Sequence, residues 1–370
     1  MFLSAFSAIE RAVAITAVAP VVLMGCGIHQ TAPALASQQS QLPAPTYREF
    51  MPVPDAPPRP RAPGALAAAI EDLRDHFDGL AGIAVRSVES GWSVESVDAN
   101  RPMPQQSVSK LWVAMTVLDA VDKGRLTLDT PVVVRREDLT LFHQPIAVLV
   151  MKGDGYHTTV RDLLHRALTM SDNTANDRLL NLVGGPTAVR GFIARNRLGE
   201  IRFGPGERLL QSGTAGVTWQ PSYSMGGAFE QARNRLPREV RLAAYRRYVA
   251  NPVDGAAPAA IAGALAKLKR GELLSPGATS YLLSTMAASK TGKFRLRGAV
   301  PPGWSFGHKT GTGQDLAGRT AGYNDVGILT APDGRSYAVA VMIGDSARSI
   351  QEKQLFMQGV VTAVVANHRG

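Results

Sequence analysis

The spacing of apolar and polar residues divides the chain into segments of two periods. Over residues 65–77, Leu66, Ala69, Ile70 and Leu73 fall on one side of a helix, with Glu71, Asp72, Arg74 and Asp75 on the other. Residues 82–88 and 92–97 alternate as strands and meet through Glu89-Ser90-Gly91 in a hairpin. The apolar run 111–118 predicts a helix opened by Ser107 and ended at Gly124, after which Leu128-Asp129-Thr130-Pro131 turns the chain into 132–139. Thr158-Thr159 with Asp162 marks a helix start of the capping-box kind, with Asp in place of Glu or Gln. A further helix covers 173–182 and stops at Gly184-Gly185-Pro186. An irregular stretch spans 199–254, and helices follow at 258–268 and about 279–287. Near the end, 302–313 is strand-like, 325–330 and 337–343 pair across the turn Pro332-Asp333-Gly334, and a helix runs from 348 to about 365. Strands at both ends with helices between them predict an α+β fold, in which N- and C-terminal segments share one antiparallel sheet packed against a mostly helical region.

Composition adds an address. With 45% hydrophobic and 19% charged residues the 370-residue chain is that of an ordinary globular protein. Its net charge of +10 suits anionic surfaces. The Arg and Lys are scattered and carry no aromatic-basic motif, so no nucleic-acid partner is expected. The apolar run 12–24 behind Arg11 is too short to span a bilayer but fits a secretory leader. It ends Leu23-Met24-Gly25-Cys26, which resembles a bacterial lipobox, so residues 1–26 are expected to form a signal peptide that leaves Cys26, the single cysteine, for lipidation. Residues 27–64, rich in Pro, Ala, Gln and Ser, read as an extended tether, leaving 65–370 as the folded domain. The expectation is an exported, periplasmic monomer, anchored to a membrane if Cys26 is acylated.

The chemistry begins at Ser107-Val108-Ser109-Lys110. A serine hydroxyl keeps its proton near neutral pH and needs a base beside it to act as a nucleophile. On a helix Ser107 and Lys110 lie one turn apart on the same face. Ser171-Asp172-Asn173 and Lys309-Thr310-Gly311 follow in order. S-x-x-K, S-D-N and K-T-G in this sequence are the signature shared by class A β-lactamases and penicillin-binding proteins. His143, His157, His165 and His308 have no zinc-ligand spacing, and neither metal nor other cofactor is expected.

From residue 65 to the end the chain resembles the class A β-lactamases. Arg295-Leu296-Arg297 with Pro301-Pro302-Gly303-Trp304 is similar to the family's segment before K-T-G, and Glu207-Arg208-Leu209-Leu210-Gln211, 36 positions after Ser171, to its E-x-x-L-N element. The resemblance implies a β-lactam substrate, Ser107 as nucleophile and Lys110 as the group that keeps it deprotonatable. It implies Ser171 as proton relay and Glu207 as base for the hydrolytic water. Asn173 would bind the substrate's side-chain amide, with Lys309, Thr310, Gly311, Thr312 and Arg295 around its carboxylate and Arg319 a rival to Arg295. The backbone N–H groups of Ser107 and Thr312 would bind the oxyanion.

The departures from the pattern are as informative. Gln211 replaces the asparagine that helps seat the hydrolytic water, and Pro205 stands where many members have an arginine paired to an aspartate. Asp254, the apparent match for that aspartate, is thereby left without its usual partner. The 42 residues between Gln211 and Asp254 contain a basic insertion at about 212–250, of which 226–250 reads as helix. Glu207 favours a β-lactamase. Gln211 and the insertion keep open a D-alanyl-D-alanine carboxypeptidase or transpeptidase, or a penicillin-sensing lipoprotein without turnover.

Overall fold

The computed structural model describes residues 60–368. The leader, Cys26 and nearly all of the tether lie outside the described residues. Among these, no helix is long and apolar enough to cross a membrane.

In chain order the elements that build the site are α1 (Gly64–Asp75), β1 (Leu80–Ser87), β2 (Ser93–Glu95), α2 (Lys110–Asp122), α3 (Asn173–Leu182), α4 (Glu207–Thr214), α5 (Ala228–Arg235) and α6 (Arg238–Ala250). They continue with α7 (Pro258–Lys269), α8 (Pro276–Ala287), β3 (Ser305–Thr312), β4 (Tyr323–Thr330), β5 (Ser336–Asp345) and α9 (Ile350–Ala366). The strands form one antiparallel sheet in the order β2-β1-β5-β4-β3, with Val85 opposite Val339, Val326 opposite Ala340 and Lys309 opposite Val326. The expected α+β sheet of terminal segments is therefore present.

Both faces of this sheet are covered, which is why β5 reads as one unbroken apolar run. Tyr337, Val339, Val341 and Ile343 alternate into a core with Leu66 and Ile70 of α1 and Phe356, Met357 and Val360 of α9. Ala338, Ala340 and Met342 face the larger core, shared with Leu111 and Met115 of α2 and Ile261 and Leu265 of α7. Each fully buried Val, Ile or Leu contributes roughly 1.5–3 kcal/mol relative to exposure. The helix expected from 348 starts at Ile350, where Ser349 and Glu352 close a complete capping box.

Several expected boundaries move. Trp92 and Val97 fall outside β2, and Val97 is 81% exposed, with no face to pack on. Residues 132–139 divide into a strand Pro131–Val134, paired with Tyr156–Thr159, and a 3-10 turn Arg136–Asp138. Thr159 caps the next helix by accepting the Asp162 N–H at 3.3 Å, but the short Asp162 carboxylate turns to Thr158 Oγ1 and Arg166 Nε, so the box is half made. Gly184-Gly185-Pro186 is a corner between helices: Gly184 is left-handed (φ 100°), and Gly185–Arg195 resumes as helix with Pro186 in the first turn, where a missing N–H costs little. The stretch 199–254 is mostly helical. α4 runs through Thr214, past the expected start of the insertion, and 226–250 is two helices because Pro237 pushes Leu236 out of helical geometry (ψ 139°).

Candidate active site

Ser107 sits in a 3-10 turn, Gln106–Ser109, that leads into α2, a tighter start than the continuous α-helix expected. Gln106 holds a left-handed φ of 53°, which costs a non-glycine residue of order 1–3 kcal/mol and is held here by its surroundings. Its N–H donates to Asp254 Oδ2 at 2.8 Å and its Nε2 to Tyr248 Oη at 2.7 Å, while its Oε1 accepts from Gln211 Nε2 at 2.9 Å. The fully buried Trp112, a core residue as expected, donates through Nε1 to Gln105 Oε1 at 2.6 Å and fixes the residue before that.

Lys110 is buried, and its ammonium meets three groups: Ser107 Oγ at 2.8 Å, Asn173 Oδ1 at 2.8 Å and the Glu207 carboxylate in a short ion pair. A buried cation needs such partners, because desolvation costs several kcal/mol unless hydrogen bonds and opposite charge offset it. Glu207 opens α4, where the preceding residue is Gly206 and no side chain of that segment caps the helix. The cap comes from α3: Asp177 accepts the N–H of Glu207 at 3.0 Å and of Arg208 at 3.4 Å. Burial, with the Glu207 charge adding to it, pushes Asp177 up to about 6. Sequence reading missed Asp177, which resembles any polar residue within a helix.

The opposite wall is β3. Lys309 Nζ donates to Ser171 Oγ at 3.0 Å and to its neighbour's Thr310 carbonyl at 2.9 Å. Burial, then the charges of Lys110 and Arg295, hold Lys309 well below the usual lysine range. Ser171 is left-handed (φ 61°), while Asp172 caps α3 by accepting the Ala175 N–H at 2.9 Å. The motif thus both caps a helix and frees Ser171 for the cleft. Gly311 is required by close approach, since a Cβ there would lie 2.2 Å from the Gln105 carbonyl oxygen. Thr310 shares a hydroxyl contact of 2.8 Å with Thr291.

Arg295 and Arg319 are separated by the structure. Arg319 pairs with Asp345 at 2.7 Å, away from the cleft. Arg295 lies over the Tyr323 ring at 3.7 Å, donates to the Gly311 and Asn324 carbonyls, and reaches Thr312 Oγ1 at 2.5 Å. His308 is turned into the protein, with Nδ1 2.7 Å from Asp325.

Asp254, expected to be without its usual arginine partner, has two others. Besides the Gln106 N–H it accepts from Tyr248 Oη at 3.0 Å, a hydroxyl supplied by α6 in place of the missing arginine. Burial pushes Asp254 up to about 6 and Tyr248 well above the usual tyrosine range. Gln211 donates to Glu207 Oε2 at 3.2 Å and accepts from Gln314 at its backbone and side-chain oxygens, at 2.8 and 3.2 Å. The cleft bounded by these residues holds about 550 Å3 and is lined by Ser107, Ser171, Asn173, Gln211, Arg295, Thr310 and Thr312, together with Arg233 from α5.

A family model described as "Beta-lactamase enzyme family" matches residues 65–367. The chain belongs to this family. It is 32% identical to the extended-spectrum β-lactamase PER-1 of Pseudomonas aeruginosa over 257 residues, 70% of this chain and 72% of that protein. To β-lactamase VEB-1 of the same organism it is 27% identical over 255 residues, 68% of this chain and 73% of the relative. The fold matches the crystal structure of the TLA-1 extended-spectrum β-lactamase with a TM-score of 0.68 at 26% identity, covering 82% of this chain and 98% of that one. An ancestral class A β-lactamase matches with a TM-score of 0.63 at 28% identity, over 81% and 99%. The chain is a class A enzyme, a serine hydrolase.

Proposed function

We propose that this β-lactamase opens the lactam amide by attack of Ser107 Oγ on the ring carbonyl, and that the observation carrying the assignment is the buried ammonium of Lys110 held against Ser107, Asn173 and Glu207. The Lys110–Glu207 pair takes the hydroxyl proton as the C–O bond forms. The resulting oxyanion is stabilised by backbone N–H groups of Ser107 and Thr312. When the C–N bond breaks, the ring nitrogen receives a proton through Ser171. The 3.0 Å bond from Lys309, whose ammonium is already weakened by burial, supports that relay. Water then attacks the ester, Glu207 removes its proton, and the Ser107 oxygen leaves and is reprotonated. Asp177 and Gln211 hold the Glu207 backbone and carboxylate for this second step. Arg295 and Thr312 form the carboxylate end of the cleft, with Thr310 beside them.

The test is intact mass over time after mixing with excess penicillin, for wild type and Glu207→Gln. Wild type should clear substrate without accumulating adduct, while the variant, losing 10²- to 10⁴-fold in ester hydrolysis, should hold a stable acyl group on Ser107. A wild-type adduct lasting hours would make this a penicillin-binding enzyme or sensor instead. For the N-terminal segment we propose export to the periplasm and lipidation of Cys26, supported by the apolar run and Leu23-Met24-Gly25-Cys26. Metabolic labelling with a fatty acid should mark wild type and not Cys26→Ser.

A further inference from the structure

α5 belongs to the segment that no motif explains, yet it sends one side chain into the cleft. Arg233 Nη1 donates to Gln314 Oε1 at 3.1 Å, and Gln314 is tied to Gln211, which bonds Glu207. The guanidinium is therefore held at Gln314, two residues past the end of β3 and bonded to Gln211 beside Glu207, whereas Arg295 is fastened to Gly311 and Thr312 within β3. A guanidinium offers five donors, and this single bond leaves the rest for a ligand. Among the described residues no acid forms an ion pair with Arg233. Asp315 is the acid of the cleft lining, and its carboxylate accepts from Thr320 Oγ1 at 2.5 Å.

From this placement we propose that Arg233 is a specificity-determining residue for β-lactams carrying a second anionic group on the acyl side chain. The inference rests on the reading of Ser107 as nucleophile and of the Arg295 end as the site of the ring carboxylate. With those fixed, the acyl side chain extends past Asn173 and Gln211 toward Arg233. Planar carboxylates and sulfonates match the fork of a guanidinium. The neighbouring charges oppose one another: Arg241, across the small recess that Arg233 and Asp315 share, adds to the attraction for an anion, and Asp315 reduces it.

The experiment compares benzylpenicillin with its α-carboxy analogue, two substrates that differ by one charged group, on the full chain and on Arg233→Gln and Arg233→Lys. The ratio of kcat/KM for the analogue to that for benzylpenicillin should fall roughly fivefold to tenfold in Arg233→Gln, recover in part in Arg233→Lys, and shrink in wild type as salt rises. Equal losses on both penicillins, or an unchanged ratio, would overturn the proposal while leaving the hydrolase reading intact. No turnover of either penicillin by wild type would overturn the hydrolase reading and this inference with it.

Discussion

The two walls of the cleft are built by different means. The β3 wall is backbone: Lys309, Thr310 and Gly311 sit in a ladder with β4, and their positions follow from strand register. The Glu207 wall is held by side chains, with Asp177, Gln211, Tyr248 and Asp254 reaching across from separate elements, all buried. A ladder spreads its stability over many bonds. In a buried polar network each member is fixed by a few bonds, and losing a partner leaves a desolvated group unpaired. The β3 wall should therefore fail only through steric insult, and the Glu207 wall through the loss of single atoms.

The largest effect expected is on the backbone wall. Gly311→Ala places a methyl 2.2 Å from a carbonyl oxygen, so it should cost about 3 kcal/mol or more and leave the domain poorly soluble or lower its Tm by roughly 6–12 °C in a thermal melt. Arg295→Gln should raise KM about tenfold, whereas Arg319→Gln, whose ion pair with Asp345 lies outside the cleft, should leave KM within twofold. If both changed KM alike, the separation of the two arginines would be wrong.

pH tests the other wall. Asp254 is raised from the usual carboxylate range to about 6 in the folded state, so the native protein binds its proton more tightly than the unfolded chain does. That contribution to stability is complete below about pH 4 and is lost as pH rises through about 6, an amount of up to about 3 kcal/mol. Urea titrations between pH 4 and 7 should show this slope in wild type and a flatter one in Asp254→Asn. Tyr248→Phe, which removes one hydroxyl and two hydrogen bonds, should cost about 1–2 kcal/mol and lengthen the life of the acyl adduct more than it slows its formation. Equal slowing of both steps would show that α6 acts on Ser107 alone.

The same contrast governs what could be read from sequence. S-x-x-K, S-D-N and K-T-G lie on local elements whose spacing survives as a pattern, and α3 matches its expected span of 173–182. The Glu207 wall was legible at Glu207, at Gln211 and, as the apparent match for the family's aspartate, at Asp254. The bonds joining Gln106, Gln211, Tyr248 and Asp254 span up to 148 residues, and no periodicity announces them. Pro205 removes the usual partner of Asp254, and the donor that replaces it, Tyr248, comes from an insertion with no counterpart in the motif set. Pro237 did carry a readable signal, a break between α5 and α6, that the apolar spacing of 226–250 concealed.

The pairing of β1 with β5 reaches beyond the active site. Val85 and Val339 stand opposite each other at the centre of the sheet, although the whole helical region separates them along the chain. The sheet cannot close until the last strand has left the ribosome, and such distant pairing makes folding slow. Until then β1 lacks the strand it pairs with along its whole length. Nascent chains arrested before residue 336 should remain sensitive to protease along their full emerged length, and resistance should appear only when β5 is free to join.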